Sequence, residues 1–358
     1  MFGSSLARAD YSQDASGPIR QTDSDAAIAR LSAVKLGYLQ DPFIKFLVQR
    51  PHLQPPRPPL INVGTYVRSE AIDRLVNGWL ELSAAEGKKC QVVSMGAGSD
   101  TRFWRINTGP RKDDLAVYIE FDLMENTTKK TMAIRKSKEL SEQLENVTLE
   151  HGGTTLHSTK YHLFPADLRI PPTESIAPLL TSPSLEGPIL SPNLPTLLLF
   201  ECVLVYIAPE ASQALIQWFV DYFASSSVLG AVVYEMFGLN DPFGVVMVEN
   251  LKVRGVSLPG AEPYPTFESL PRRFTRHGFT TSEALTLREI RKTLISREEL
   301  QRISSLEMLD EVEELDLVLA HYAVTWGLKL PSGQNPPSKW IEWGLKPLVD
   351  NDHPDSDE

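Results

Sequence analysis

Residues 90–102 of this chain read CQVVSMGAGSDTR. An apolar run of β-type residues enters Gly96-Ala97-Gly98 directly, and a polar stretch that can begin a helix follows. A strand that ends in a glycine turn lets the backbone approach a ligand where any Cβ would stand in the way. The stretch therefore predicts a ligand site at the end of a buried strand. A tight turn without a ligand uses the same glycines, so the motif alone leaves both interpretations open.

The rest of the chain alternates between strand-like and helix-like patterns. Further strands are predicted at residues 116–122, 161–164, 196–201, 228–236, 279–285 and 321–326. Helices are predicted at residues 66–86, 124–144, 242–253 and 296–310, and another begins at Pro209. This alternation is typical of an α/β fold with a doubly wound, mostly parallel sheet, which binds ligands at the carboxyl ends of its strands.

A single domain is predicted over residues 22–330, between two disordered tails. Residues 22–87 form a helical preface, in which residues 22–25 offer N-cap side chains and the five prolines of residues 51–59 exclude regular structure. Residues 88–330 hold the sheet core with insertions, among them a Ser/Pro-rich loop at residues 181–195. Residues 1–21 are polar and residues 331–358 are acidic and Pro-rich, which favours disorder.

The composition argues against several classes of function. The formal net charge is −11 and no dense Lys/Arg cluster is present, so a nucleic-acid partner is not expected. No apolar stretch reaches the ~18 residues of a transmembrane helix and no hydrophobic signal sequence is seen, which predicts a cytoplasmic protein. Cys90 and Cys202 lie in apolar runs, which indicates buried side chains. Neither they nor the seven histidines have the spacing of a disulfide framework or a metal site.

The glycine motif departs from the fingerprint of dinucleotide-binding proteins. Thr101 stands where the third glycine of G-x-G-x-x-G is expected. Asp100 lies near the helix end that would hold a pyrophosphate, and two negative groups at that end repel each other. A nucleoside without phosphates and with a cationic centre fits better. S-adenosylmethionine, which carries a sulfonium, an ammonium and one carboxylate, is such a ligand.

Acidic residues follow three of the predicted strands. Asp122, 24 residues after Gly98, is placed to accept both ribose hydroxyls, and an N-cap role for the next helix is the alternative. Asp167 is placed to accept an adenine amino group while Leu168 packs on the ring, or else it is a turn residue. Glu201 ends a strongly apolar strand, where it needs a cationic partner, either a ligand ammonium or a protein arginine.

Two further side chains are candidates for the same site. Arg68 is a possible clamp for the ligand carboxylate, because a guanidinium binds carboxylates with two parallel hydrogen bonds. A single arginine on a helix is more often a surface residue. Tyr206 offers an aromatic face or a hydroxyl at the reaction site, and by base rate it is equally a core tyrosine.

Taken together, the chain resembles the leucine carboxyl methyltransferase family over about residues 25–326. The segments that carry the resemblance are short, and the resemblance rests on their order and spacing along the chain. They are GYLQDPF at 37–43, GTYVR at 64–68, VSMGAGSDTRFW at 93–104, EFD at 120–122, ADLR at 166–169, ECVLVY at 201–206, FGVVMVENL at 243–251 and SLEMLDE at 305–311.

The resemblance implies an S-adenosylmethionine-dependent enzyme that methylates the C-terminal leucine carboxylate of the protein phosphatase 2A catalytic subunit. It implies a Rossmann-like class I methyltransferase with a seven-stranded sheet, an N-terminal helical lid and C-terminal helical additions, in a fungal-type, monomeric member. The implied cofactor contacts are the carboxylate at Arg68, the methionine arm at Gly96 and Gly98, the ribose at Asp122, the adenine at Asp167 and Leu168, and the ammonium at Glu201. The family tends to have Lys near the active site in its first helix, where Arg30 stands here. Arg30 and Tyr206 are the implied catalytic residues.

The predicted reaction needs no general base, because a terminal carboxylate with a pKa near ~3.5 is already ionised at neutral pH. Rival functions remain open. A related methyltransferase that acts on another carboxylate or on transfer RNA in the wybutosine pathway is the nearest, although that tRNA enzyme has an added repeat domain which this chain lacks. A nicotinamide-dependent oxidoreductase is disfavoured by Asp100 and Thr101. A phosphatase-binding relative without activity is the third.

Overall fold

The computed structural model describes residues 16–181, 187–223, 227–331 and 339–348. These residues form one nine-stranded sheet with helices on both faces. The strands are β1 (Cys90–Met95), β2 (Leu115–Asp122), β3 (Thr148–Glu150), β4 (Thr155–His157), β5 (Tyr161–Pro165), β6 (Thr196–Glu201), β7 (Leu229–Met236), β8 (Thr281–Thr286) and β9 (Tyr322–Lys329).

Helices precede, connect and follow these strands. They are α1 (Gly17–Lys35), α2 (Ile44–Leu47), α3 (Pro59–Ala85), α4 (Arg102–Asn107), α5 (Met124–Lys136), α6 (Lys138–Ser141), α7 (Pro172–Ser175), α8 (Ala177–Leu180), α9 (Pro209–Tyr222), α10 (Pro242–Val253), α11 (Arg272–Thr275), α12 (Leu287–Thr293), α13 (Arg297–Ser304) and α14 (Val312–Ala320). Single 3-10 turns lie at Pro51–Leu53, His151–Gly153, Leu204–Tyr206, Pro259–Ala261, Phe267–Ser269 and Lys339–Glu342.

The sheet confirms the predicted doubly wound α/β topology. Its order is β3-β4-β5-β2-β1-β6-β7-β9-β8, and the five central strands from β5 to β7 are parallel. The chain builds outward from β1 to β5, then returns to the other side of β1 with β6. The switch point, where doubly wound sheets bind ligands, therefore lies between β1 and β6.

The expected number of seven strands is wrong, because β3 and β4 add an antiparallel hairpin at the edge beyond β5. Each of these two strands has only three residues, and β3 is largely exposed. Such short edge strands have no apolar alternation, which is why the sequence pattern did not predict them. At the opposite edge, β9 runs antiparallel to both β7 and β8.

Both faces of the sheet are covered, so its central strands are buried on both sides. In β1, Val92 packs in a core with α3, α4 and α14, while Val93 packs in a second core with α9 and α11. The continuous apolar runs of the sequence are explained by this double cover. The cover also leaves the carboxyl edge of the parallel strands as the place where polar side chains can meet.

The predicted boundaries of the helical preface are wrong at two positions. α1 begins at Gly17 rather than at residue 22, so residues 17–21 are helical and residues 22–25 lie inside the helix instead of capping it. Pro18 stands in the first turn, where proline needs no N–H partner. α3 begins at Pro59 rather than near Tyr66, for the same reason. Residues 1–15 lie outside the described residues.

Part of the C-terminal segment that was expected to be disordered packs on the core. Trp340 and Trp343 lie against Trp79 of α3, with ring centroids 4.4 and 4.9 Å away, and both are buried. The indole N–H of Trp343 donates to the carbonyl oxygen of Leu75 at 3.0 Å. Aromatic packing therefore holds residues 339–348 in place despite the polar composition around them. Residues 332–338 and 349–358 lie outside the described residues.

Two negative findings concern the described residues alone. No helix there is both long and apolar enough to cross a bilayer. Within the same ranges, no group of three or more His, Cys, Asp or Glu side chains has an arrangement that could hold a metal ion.

Candidate functional site

A cavity of about 360 Å³ lies at the carboxyl edge of the parallel strands. Its wall is formed by residues that follow β1, β2, β5 and β6, by the ends of β7 and β9, and by α1, α3 and α10. The volume is within the ~300–1,000 Å³ of small-molecule sites. All nine residues predicted from the sequence line this cavity: Arg30, Arg68, Gly96, Gly98, Asp122, Asp167, Leu168, Glu201 and Tyr206.

Residues 96–100, here called the glycine loop, form the floor of the cavity beside β1. Gly96 and Gly98 have φ values of +61° and +46°, in the left-handed region that favours glycine. A Cβ on Gly96 would lie 2.6 Å from the side chain of Val203, which follows β6. Both the backbone conformation and the close approach of the next strand therefore require glycine there.

Asp122 ties the end of β2 to the glycine loop. One carboxylate oxygen accepts the backbone N–H of Gly98 at 2.6 Å, and the other accepts the N–H of Leu123 at 2.7 Å and the amide of Asn126 at 2.8 Å. The N-cap position of α5 is Leu123. Asp122 therefore does not have the N-cap role that was the alternative to ribose binding. Burial raises the pKa of Asp122, and the hydrogen bonds from Asn126 and Gly98 oppose that rise.

Glu201 is held by two arginines at the end of β6. Its carboxylate accepts the Nε–H of Arg68 at 2.5 Å and an Nη1–H of Arg102 at 2.7 Å. Burial alone would raise the pKa of Glu201, but Arg102 and Arg68 outweigh it and lower the pKa to about 2. The guanidinium of Arg68 also lies over the ring of Tyr234, 4.8 Å from its centroid. The sequence left two kinds of cationic partner open for Glu201, a ligand ammonium or a protein arginine. In the described structure Glu201 pairs with protein arginines.

Asp167 is engaged by its neighbour Arg169. The guanidinium donates Nε–H to one carboxylate oxygen at 2.8 Å and Nη2–H to the other at 2.7 Å, while the backbone N–H of Arg169 adds a contact of 3.0 Å. Burial would raise the pKa of Asp167, but these hydrogen bonds lower it. The guanidinium of Arg169 also donates Nη2–H to the hydroxyl of Ser16, the residue just before α1, at 2.9 Å. Asp167 thus has the turn conformation and still faces the cavity beside Leu168.

Arg30 projects from α1 into the cavity wall. Its Nε–H donates to Asp41 at 2.6 Å and its Nη1–H donates to Ser69 of α3 at 2.9 Å. Asp41 also accepts the hydroxyl of Thr101 at 2.5 Å, so the same carboxylate joins α1 to the residue after the glycine loop. The side chain of Arg30 is 13% exposed, which leaves one edge of the guanidinium toward the cavity.

Tyr206 ends the 3-10 turn after β6 and lies half-buried in the wall, with its hydroxyl 3.4 Å from the sulfur of Cys202. Cys202 has φ +58°, which is unusual for a residue other than glycine. The prediction that Cys202 is a buried apolar side chain is confirmed only in part, because the side chain packs against the main core but is only partly buried and also lines the cavity. Cys90 is buried as predicted.

Sequence reasoning missed several residues of the wall. Asp23 and Asp25 of α1 were assigned to a helix cap, but Asp23 accepts the N–H of Ser99 at 2.7 Å and Asp25 pairs with Arg254 at the end of α10. Arg102 follows the glycine loop and was given no role of its own, although its guanidinium donates a hydrogen bond to Glu201. An acid that contacts a distant element and an acid that caps its own helix look the same in sequence, so no local signal separates them.

The cavity contains fixed charges of both signs, and the rest of its wall is formed largely by apolar and aromatic side chains. In the part of the chain that the structure describes, no histidine lines the wall. The cavity can therefore bind a zwitterionic ligand, and it favours a reaction of an ionised nucleophile over one that needs a base near neutral pH.

Comparison with known proteins gives one consistent result. A family model described as leucine carboxyl methyltransferase matches residues 18–220. The "Leucine carboxyl methyltransferase 1" of Cryptococcus neoformans var. neoformans serotype D (strain JEC21) is 46% identical over 351 residues, covering 90% of this chain and 95% of that protein. Proteins of the same name match from Aspergillus fumigatus, at 39% identity over 88% of this chain and 84% of that protein, and from Bos taurus, at 35% identity over 87% and 90%.

Proposed function

This chain belongs to the leucine carboxyl methyltransferase family, and from that premise we propose that it methylates the α-carboxylate of a C-terminal leucine. It is an enzyme of the S-adenosylmethionine-dependent methyltransferase type. The proposed acceptor is the catalytic subunit of protein phosphatase 2A, which the resemblance of the sequence motifs implies. The observation that carries the proposal is the pair of opposite charges, Arg68 and Glu201, at the switch point of the sheet.

The Arg68–Glu201 pair suits an amino acid group. A carboxylate can take the place of Glu201 beside Arg68, and an ammonium can take the place of Arg68 beside Glu201. Arg102 keeps its contact with Glu201 in both arrangements, so neither buried charge loses all of its partners. The methionine part of S-adenosylmethionine carries these two groups on one carbon, which matches the spacing of a side-chain pair in direct contact.

The carboxylates of Asp122 and Asp167, the predicted contacts of the ribose and the adenine, can each accept a further hydrogen bond. A carboxylate offers about four lone-pair sites. Asp122 accepts three N–H groups, which leaves room for a ribose hydroxyl. Asp167 likewise accepts three N–H groups, all from Arg169, which leaves room for an adenine amino group beside the apolar face of Leu168. Gly96 and Gly98 line the cavity, and the methionine arm is proposed to pass along their backbone.

When bound, S-adenosylmethionine supplies an electrophilic methyl carbon on a cationic sulfur. The chain's own contribution is to bind, orient and exclude water. Arg30 is proposed to orient the acceptor carboxylate through its free edge, because its other donors are fixed by Asp41 and Ser69. Tyr206, which lines the cavity, is proposed to lie at its reacting end. No residue has to accept a proton, since the acceptor oxygen is already ionised.

The test is transfer of radiolabelled methyl from S-adenosylmethionine to purified phosphatase 2A, with the intact catalytic subunit and with the same subunit lacking its terminal leucine. We expect label that alkali releases as methanol, on the intact subunit only. Label that persists on the truncated subunit, or label that appears instead on transfer RNA included in the reaction, would contradict the proposed acceptor. Binding of S-adenosylmethionine without transfer to either would contradict the proposed activity.

A further inference from the structure

Every backbone N–H group of the glycine loop has an acceptor within the protein. Three of them donate to backbone carbonyls. The other two donate to carboxylates, Gly98 to Asp122 at 2.6 Å and Ser99 to Asp23 at 2.7 Å. In phosphate-binding loops, successive N–H groups of this kind are left for phosphate oxygens. Here two carboxylates stand where the phosphate oxygens would.

One of these two carboxylates comes from outside the sheet. Asp23 belongs to α1, and its side chain is 11% exposed and lines the cavity. Besides the N–H of Ser99, it accepts the hydroxyl of Ser99 at 3.2 Å and the ammonium of Lys129 at 3.3 Å. It is also the group nearest to the position that a Cβ on Gly98 would take. Its charge therefore lies directly over the turn of the glycine loop.

We propose that Asp23 is a specificity residue that excludes phosphate-bearing adenine nucleotides from the cofactor cavity. The inference rests on the proposed function, because it takes the cavity to bind an adenosyl group. A nucleotide phosphate that approached the loop would meet the charge of Asp23 and find the N–H of Ser99 already used. Like charges at contact distance in a partly buried site are strongly unfavourable, whereas a cationic sulfonium is attracted.

The same contacts predict what the loop becomes without Asp23. Asp23→Ala frees the N–H and the hydroxyl of Ser99, and it leaves the ammonium of Lys129 with the hydroxyl of Ser24 as its remaining partner, so that three donors converge on the place of the lost carboxylate. Three converging donors, one of them charged, are suited to a phosphate group. The substitution is thus expected to let the cavity bind nucleotides, and not merely to weaken the binding of S-adenosylhomocysteine.

The experiment measures dissociation constants of S-adenosylhomocysteine, adenosine and ADP by calorimetry for the full chain and three variants. The ratio of the adenosine to the ADP constant isolates the effect of the phosphates. For Asp23→Ala we expect this ratio to rise by about tenfold or more. Adding Lys129→Ala to Asp23→Ala should remove most of the gain. Glu125→Ala is the matched control, because it removes the same charge and breaks an ion pair with Arg20 of α1, but Glu125 does not line the cavity.

The outcomes separate this inference from the proposed function. An Asp23→Ala protein that still binds S-adenosylhomocysteine but keeps the wild-type ratio would overturn the role of Asp23. An equal rise in Glu125→Ala would do the same, because the effect would then be one of net charge. Wild-type protein that binds no S-adenosylhomocysteine would instead overturn the proposed function, and this inference with it.

Discussion

At Glu201 a single carboxylate is shared by two arginines, each of which has other partners. Arg102 also contacts Asp73 and Asp100, and Arg68 lies over Tyr234. The side chain of Arg102 is 3% exposed, so its charge depends on these contacts for compensation. The charges at the switch point are therefore present before any ligand arrives. On binding, the Arg68–Glu201 contact is exchanged for contacts with the ligand, while Arg102 continues to hold Glu201.

Glu201→Gln is expected to weaken S-adenosylmethionine binding by about thirtyfold or more, because the ligand ammonium loses a buried, charged partner. The pKa of Glu201 is lowered to about 2, so the stabilisation that its charge gives is complete above the ordinary carboxyl pKa and is lost as the pH falls through about 2. Wild-type affinity should therefore be flat from about pH 6 to 9 as far as Glu201 is concerned. Equilibrium dialysis measures both effects.

The control for Glu201→Gln is Glu70→Gln, which removes the same charge from a surface pair with Arg74. Exposed pairs of this kind contribute little, so its affinity should equal that of the wild type. Equal losses in the two variants would show that net charge, not the contact with the ligand, determines binding.

Glu120 illustrates the opposite case of a buried acid. It is fully buried, accepts Lys130 at 2.5 Å and Tyr161 at 2.7 Å, and leaves one oxygen without a partner among the described residues. Burial raises its pKa to about 7, against the lowering effect of Lys130. Because the folded pKa is above the unfolded one, folded protein holds more protons between about pH 4.5 and 7, and stability falls as the pH rises through that window.

Glu120→Gln should remove this slope, which amounts to about 3 kcal/mol across the window. Below about pH 7, Gln replaces a protonated carboxyl of similar size, so variant and wild type should have similar stability at about pH 5, and the variant should be the more stable protein above the window. The readout is therefore the difference in the free energy of urea unfolding between wild type and variant, measured at about pH 5 and pH 7.5. A wild-type free energy of unfolding that does not fall relative to that of the variant toward the higher pH would contradict the raised pKa.

The sequence indicated which side chains face the cavity but not what each contacts. Residues such as Asp122 and Glu201 could be predicted because strand ends converge at one edge of a parallel sheet. Their partners Gly98 and Arg102 lie 24 and 99 residues away, and no local pattern encodes such a contact. Asp23 was missed for the same reason, since its target is on an element 76 residues further on.

At the scale of elements, α1 covers the cavity and is held by polar contacts at several points. Asp23 binds the glycine loop, Asp25 pairs with Arg254 and Arg57, and Arg20 pairs with Glu125 at 3.1 Å. The apolar cluster beneath α1 is small, with four buried members. A helix anchored mainly by ion pairs separates from its support more easily than one anchored by a core. This supports the hypothesis of a lid for α1 alone, because α3, the other long helix of the preface, is packed in the main core.

Arg254→Ala is expected to speed hydrogen exchange of α1 by about threefold to tenfold, because it removes a partly exposed pair worth up to ~1 kcal/mol. Saturating S-adenosylhomocysteine should slow the exchange of α1 in both wild type and variant. Lys252→Ala, the same loss of charge two residues earlier on α10, serves as the control. Exchange of α1 that does not respond to the ligand would argue against a lid.

Elements were predicted best where burial on both sides produced a continuous apolar run. β1, β2 and β6 begin and end within a residue or two of the predicted bounds, because their runs are apolar on both faces. The start of α1 and the start of α3 were missed, because proline at the first turn of a helix looks the same as proline in a loop. α12 and α14 were missed as well, and both are short.

At the scale of the whole molecule, the cavity and the C-terminal segment lie at opposite ends of α3. The residues of α3 that line the cavity are Thr65, Arg68 and Ser69, whereas Trp79 packs against Trp340 and Trp343. Eleven residues separate Arg68 from Trp79, which is about 16 Å along a helix. Trp79 in turn packs over Gly230 of β7, where a Cβ would overlap its ring. α3 thus connects the ligand site to a purely structural cluster.

This separation predicts a variant that loses stability without losing its site. Trp340 is fully buried, so Trp340→Ala should lower the free energy of unfolding by about 3–5 kcal/mol through lost contacts and the cavity left behind. Ile341→Ala, in the same turn but 49% exposed, should change it by less than about 0.5 kcal/mol. Because Trp340 does not line the ligand cavity, the folded fraction of Trp340→Ala should bind S-adenosylhomocysteine with wild-type affinity, which calorimetry below the unfolding transition measures. A loss of affinity that parallels the loss of stability would show instead that α3 transmits the packing of its far end to Arg68.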